Sequence, residues 1–167
     1  WPRSAEQLLL IPDLVHARLG GRRVCERTNA STTQLLSLRT GGWDLELART
    51  IGLPAHVLPE LVTAPAPLGT LSGELARATG LPAAALVAPA THDTASAVAG
   101  TPLAPGWAFV SSGTWSLVGV ELERPFADER ARVLNLTNEA GVFGTTRLLK
   151  NVMGLWIVER CRELWAG

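Results

Sequence analysis

Between residues 4 and 19, "SAEQLLLIPDLVHARL", apolar positions recur at helical spacing, which predicts a helix that Pro12 kinks or ends. "GGRR" at 20–23 then reads as a turn, with Gly20 just past the helix end. Residues 25–38, "CERTNASTTQLLSL", are polar first and apolar later, and read as a loop leading into a short strand or a helix start. A glycine turn and the stretch "WDLELARTIGLP" predict a short amphipathic helix that Pro54 stops. Prolines punctuate 56–72, which reads as an extended connection, and 72–82 reads as a short helix ending at Gly80. "ALVAPA" at 85–90 predicts a short buried strand, and "DTASAVAG" after it the first turns of a closely packed helix. Beyond a turn-rich hinge at 101–106, two β-rich runs, 107–112 and 115–122, predict a hairpin with Gly113 in its turn. A charged connection at 123–134, a second strand-turn-strand at 135–149 and an amphipathic helix over 150–167 complete the chain. On that last helix Val152, Leu155, Trp156, Val158 and Leu164 fall mainly on one side.

Helices and strands alternate up to the hinge, and a hairpin sheet opens after it. This is an α/β pattern, and the composition shift places a boundary between a domain over 1–103 and one over 104–167. The opening at Trp1 reads as mid-sentence and predicts a piece of a longer protein. Hydrophobic residues make up 47% of the chain and charged residues 18%, which excludes a disordered chain. Fifteen basic residues balance fifteen acidic ones, so no basic field attracts nucleic acid or anionic lipid. Cys25 and Cys161 lie far apart with no CxxC, which excludes a zinc site built on them. With no secretory signal pattern and no apolar run of membrane-spanning length, a cytoplasmic protein is expected.

Four stretches could carry chemistry. In "PATHDTASAVAG", Asp93 stands where strand meets helix, either as a cap for the first free N–H groups or as a base that takes the proton of an attacking alcohol. His92 beside it could bind a substrate hydroxyl or orient the loop. In "VSSGTWSL", 110–117, hydroxyls and backbone N–H groups meet at one turn, which suits phosphate oxygens, although the same residues would serve an ordinary hairpin. No Walker or dinucleotide glycine spacing is present. In "LLKNVMGLW", Lys150, the single lysine, and Asn151 are expected at a helix start, with Asn151 a plausible cap. The side chains of "TNASTTQL", 28–35, could line a polar pocket or cap turns.

Taken together and in this order, "LLIPDLVHARLGG", "TNASTTQL", "HDTASAV", "SSGTWSL", "TNE" and "LKNVMGLW" resemble the FGGY carbohydrate kinases over about residues 5–165. The resemblance implies parts of two ribonuclease-H-like domains of the actin/hexokinase type, flanking an interdomain cleft. "SSGTWSL" with "LKNVMGLW" is similar to the branch that acts on L-rhamnulose, so the implied activity is ATP-dependent phosphorylation of that ketose at its terminal hydroxyl. Asp93 is then the proton acceptor. His92, Asp93, Thr94 and Asn151 meet the sugar, and Gly113 and Thr114 meet ATP phosphate. Glu159 stands where that branch commonly carries a glutamine that contacts ATP; a carboxylate there repels phosphate but can accept from a ribose hydroxyl. The aspartate linked to Mg2+ and the glycine-rich adenine segment of the family are expected outside these residues, so the isolated chain is expected to be inactive. Rival readings are a kinase for fuculose, xylulose or another ketose, and a non-catalytic actin-like module that binds sugar or nucleotide.

Overall fold

The computed structural model describes residues 4–81 and 83–166; Pro82 and Gly167, invoked above at the ends of two helices, lie outside them. The chain forms two compact units that divide between Asp93 and Thr94.

In the first unit, helix α1 spans Ile11–Leu19. The expectation that Pro12 breaks this helix is overturned, because Pro12 sits in its first turn. There the ring's fixed φ suits the helix, and the missing N–H would have had no partner anyway. Gly20 closes α1 in the left-handed region, as its position suggests. The segment read as a loop from residue 25 is instead strand β1, Cys25–Glu26, helix α2, Arg27–Ala30, and a 3-10 turn, Ser31–Thr33. The hydroxyls of Ser31, Thr32 and Thr33 each donate to the carbonyl three residues back, at 2.7, 2.8 and 2.6 Å. These bonds satisfy the tight turn, in line with the turn-capping alternative. The short helix expected next is α3, Leu45–Thr50, and Asp44 caps it.

The proline-rich stretch is more ordered than an extended connection. Strand β2, Leu61–Val62, pairs parallel with β1, and strand β3, Ala66–Thr70, pairs antiparallel with strand β4, Ala85–Ala88. Helix α4, Gly73–Thr79, lies between β3 and β4 and ends at a left-handed Gly80. Val24, Ala66, Leu68 and Ala88 form one small core, and Ala48, Leu53 and Val57 a second. β4 is present, but the expectation that it is buried fails: it forms half of a two-stranded sheet, and its Val87 is 52% exposed.

Helix α5, Asp93–Ala99, leads into the second unit. The expected hairpin follows as strands β5, Ala108–Ser112, and β6, Trp115–Leu122. Within the charged connection Asp128 caps a short helix α6, Glu129–Val133, which sequence periodicity did not reveal. Strands β7, Thr137–Ala140, and β8, Thr146–Met153, complete an antiparallel sheet of order β5-β6-β8-β7. The final helix, α7, covers only Trp156–Ala166. Lys150 and Asn151 therefore lie in β8 and not at a helix start, and Asn151 pairs with Leu117 instead of capping. Eight cross-strand pairs to β6 outweigh the helical spacing of this apolar run.

Val98 of α5 packs on Phe109 and Leu149, the core of this sheet. Gly119 sits opposite both residues. A Cβ there would lie 2.6 Å from Leu149 Cβ and 2.9 Å from the tip of the Phe109 ring. The ring occupies the space that a side chain would fill, so Gly119→Ala is expected to destabilise the fold by about 1–3 kcal/mol through overpacking. Chemical denaturation of the protein at full length measures this; an unchanged midpoint would refute the close-packing account.

Candidate functional site

The sequence leaves Asp93 at the junction of strand and helix, and the structure starts α5 on that residue. Its side chain is 98% exposed, and His92 Nδ1 lies 3.4 Å from Asp93 Oδ1. The imidazole itself is mostly covered, at 16% exposure, so a covered ring stands beside an outward carboxylate on an anchored turn. Thr94, the next residue, is buried.

The anchoring comes from a residue that sequence reasoning passed over. Glu26 is fully buried at the end of β1. Its Oε1 accepts from the Thr28 amide at 3.0 Å, and its Oε2 from the Thr28 hydroxyl and, at 3.4 Å, from the Asn29 amide. Across 65 residues of chain, the same Oε2 accepts from the Thr91 amide at 2.9 Å and the Thr91 hydroxyl at 3.2 Å. The Thr28 hydroxyl in turn accepts from the His92 amide at 3.3 Å. One carboxylate thus caps α2 and ties it to the two residues that precede Asp93. Glu26 preceding "RTNAS" was a readable capping signal; its link to Thr91 was not, because only the fold brings the two together.

A second acid supports this cluster. Asp13, buried in α1, accepts from the Glu26 amide at 3.1 Å. Burial pushes its carboxyl above its ordinary value, against the opposing pull of the Cys25 thiol and the Glu26 amide. Burial and the Asp13 charge also push the Cys25 thiol far up, which leaves it inert; both cysteines are free. The raised pKa of Asp13 carries a sign. As pH rises past the ordinary aspartate value, the unfolded chain releases a proton that the folded chain still holds, so this residue's contribution to stability falls. Above the raised folded value the loss is complete. Asp13→Asn removes that dependence, so the melting temperature of the variant relative to the parent should climb as pH rises through this window. A difference that does not vary with pH would contradict the burial effect.

The other predicted residues lie in the second unit. The turn between β5 and β6 holds Gly113 and Thr114. The Gly113 amide donates to the Trp115 carbonyl at 2.9 Å. The Gly113 carbonyl accepts from Leu155 N–H at 2.8 Å and the Thr114 carbonyl from Trp156 N–H at 3.2 Å, which locks the turn onto the start of α7. A Cβ on Gly154 would run into the Gly113 carbonyl and lie 2.6 Å from Ser116 Oγ, so this junction closes only around glycine. Thr114 remains exposed at the tip. Glu159, one turn into α7, is exposed and 3.4 Å from Arg162. Asn151 is exposed on the face of β8 that also carries Leu149.

Residues 2–100 match the N-terminal domain of the FGGY family of carbohydrate kinases, and residues 108–167 match its C-terminal domain. The chain belongs to this family. It is 51% identical over 158 residues to a rhamnulokinase of Pectobacterium carotovorum subsp. carotovorum (strain PC1), covering 93% of this chain and 31% of that protein. It is 44% identical over 163 residues to a rhamnulokinase of Bacteroides thetaiotaomicron, covering 97% of this chain and 34% of that protein. The chain thus spans about a third of the length of these relatives. Among solved structures, it superposes on a ligand-bound xylulose kinase of Lactobacillus acidophilus with a TM-score of 0.76 at 19% identity, covering 88% of this chain and 30% of the other. A gluconate kinase of the same organism gives 0.77 at 19% identity, covering 90% and 30%. At these identities the likeness establishes the fold, which is the actin/hexokinase-like ATPase fold of the sugar kinases. Among the described residues no helix is long and apolar enough to cross a membrane.

Proposed function

We propose that, within a protein of the relatives' full length, these residues serve an ATP-dependent kinase that phosphorylates L-rhamnulose at its terminal hydroxyl, in the cytoplasm where ATP is abundant. Identity of about one residue in two with rhamnulokinases supports the substrate. The observation that carries the chemistry is the outward Asp93 carboxylate beside a covered His92. In the transfer, the sugar hydroxyl oxygen bonds to the γ-phosphorus as the bond to the bridging oxygen breaks and ADP leaves. Asp93 takes the hydroxyl proton. Phosphoryl transfer depends mainly on position and charge, so an ordinary carboxylate suffices if it is aimed correctly.

His92 and Asn151 offer polar groups to the sugar, with the buried Thr94 next to the base. For ATP, the exposed Thr114 hydroxyl fits a phosphate oxygen, and Gly113 contributes a bare backbone that allows close approach. In this reading Glu159 accepts from a hydroxyl of the nucleotide's ribose. Among the described residues no group of three or more His, Cys, Asp or Glu could hold a metal.

Asp93→Asn in the full-length protein tests the base. The residue is exposed and Asn is tolerated at a helix start, so stability should change by less than about 1 kcal/mol. Turnover should fall on the order of a hundredfold or more, with sugar affinity kept. Near-normal kcat would remove Asp93 from the chemistry. Thr114→Val should raise the KM for ATP with little change for the sugar; equal ATP KM values would take Thr114 out of the site. L-rhamnulose should give a higher kcat/KM than D-xylulose or glycerol, and the reverse order would move the assignment to another ketose or polyol.

A further inference from the structure

We propose that Glu26 is a positioning residue for the transfer: its buried carboxylate sets the Thr91–His92 turn and, through that turn, the direction of the Asp93 carboxylate. This rests on reading Asp93 as the base. Four of the five groups that donate to Glu26 converge on Oε2, two from α2 and two from Thr91. The Thr28 hydroxyl extends the same cluster to the His92 amide. Only an acceptor with no hydrogen of its own suits such a convergence. A cap for α2 alone would need only the Thr28 and Asn29 amides. The contacts to Thr91 are additional and serve the turn. Asp93 follows that turn directly, and its carboxylate meets His92 Nδ1 at 3.4 Å. Its aim depends on the turn that places both residues. Proton transfer in the transition state is sensitive to displacements of about 1 Å.

Glu26→Asp separates the two roles. Aspartate keeps the buried charge and is itself a good helix cap, but it withdraws the carboxylate by about one carbon–carbon bond from Thr91. In the full-length protein, assayed well below its melting temperature, kcat with L-rhamnulose should fall on the order of tenfold, while the KM for ATP stays within about twofold. Thr91→Val, which removes only the hydroxyl arm, should lower kcat by about two- to fivefold and keeps the test available if the aspartate variant does not fold. Both changes are then repeated in the Asp93→Asn background. If Glu26 and Thr91 act through Asp93, they cost little or nothing further there, because the group they position is already gone. A loss of equal size in both backgrounds marks a purely structural role and overturns the proposal. So does wild-type kcat for both single variants while Asp93→Asn is slow, and in that case the base assignment stands. Near-normal turnover in Asp93→Asn itself overturns the base, and this proposal with it.

Discussion

A carboxylate with no exposure to water must find donors inside the protein, and the local geometry of the first unit follows from how Glu26 meets that demand. Its partners come from two segments, one beside it in the chain and one 65 residues away. Withdrawing the acceptor would leave the buried Thr28 amide and hydroxyl unsatisfied, each at a cost of about 1–3 kcal/mol, and would release the half-buried Asn29 and Thr91 donors. The arrangement is therefore close to all-or-none. β1, α2 and the turn after β4 are held together at a single oxygen atom. Asp13 extends the arrangement by accepting the Glu26 amide, so two acids and two threonines form one buried polar cluster beside small apolar cores.

The second unit solves a similar problem with backbone groups. The first N–H groups of a helix lack intrahelical acceptors. At α7 the carbonyls of Gly113 and Thr114 supply them, so a hairpin turn caps a helix and the helix start in turn fixes the hairpin. Gly154 makes this possible because it has no side chain to strike the turn. A phosphate contact placed on such a turn is rigid without a lysine or a long glycine loop. In both units, then, an exposed polar tip, Asp93 or Thr114, stands on a support whose hydrogen bonds are satisfied from within.

Helix α5 is short, yet it relates these parts along the chain. Its first residue carries the proposed base, and its later turn places Val98 against Phe109 and Leu149. Its packed side carries Thr94, Ala95 and Val98, and the small Ala95 among them lets the helix lie close to its neighbours, while Ala97 and Ala99 face outward.

By itself the sequence determined the features that depend on local chemistry. The glycines after α1 and α4, the short helix α3, the hairpin at 113–114 and the start of α5 were all legible, because glycine conformation, capping and two-residue periodicity act over a few neighbours. Its ordered motifs also pointed to the family that the comparisons establish. Tertiary structure decided the rest. "LLKNVM" has no strong preference and became strand only because β6 offers it a partner at each position. Pro12 could end one helix or begin another; the preceding Leu8 bonds to the Val57 carbonyl and packs with Ala5 on the core of Ala48, Leu53 and Val57, and the helix begins after them. Nothing in the sequence ties Glu26 to a residue beyond the polar stretch that follows it. Its importance appears only when folding removes it from water and brings Thr91 to it, since the energy of a buried charge depends on its surroundings and not on its neighbours in sequence.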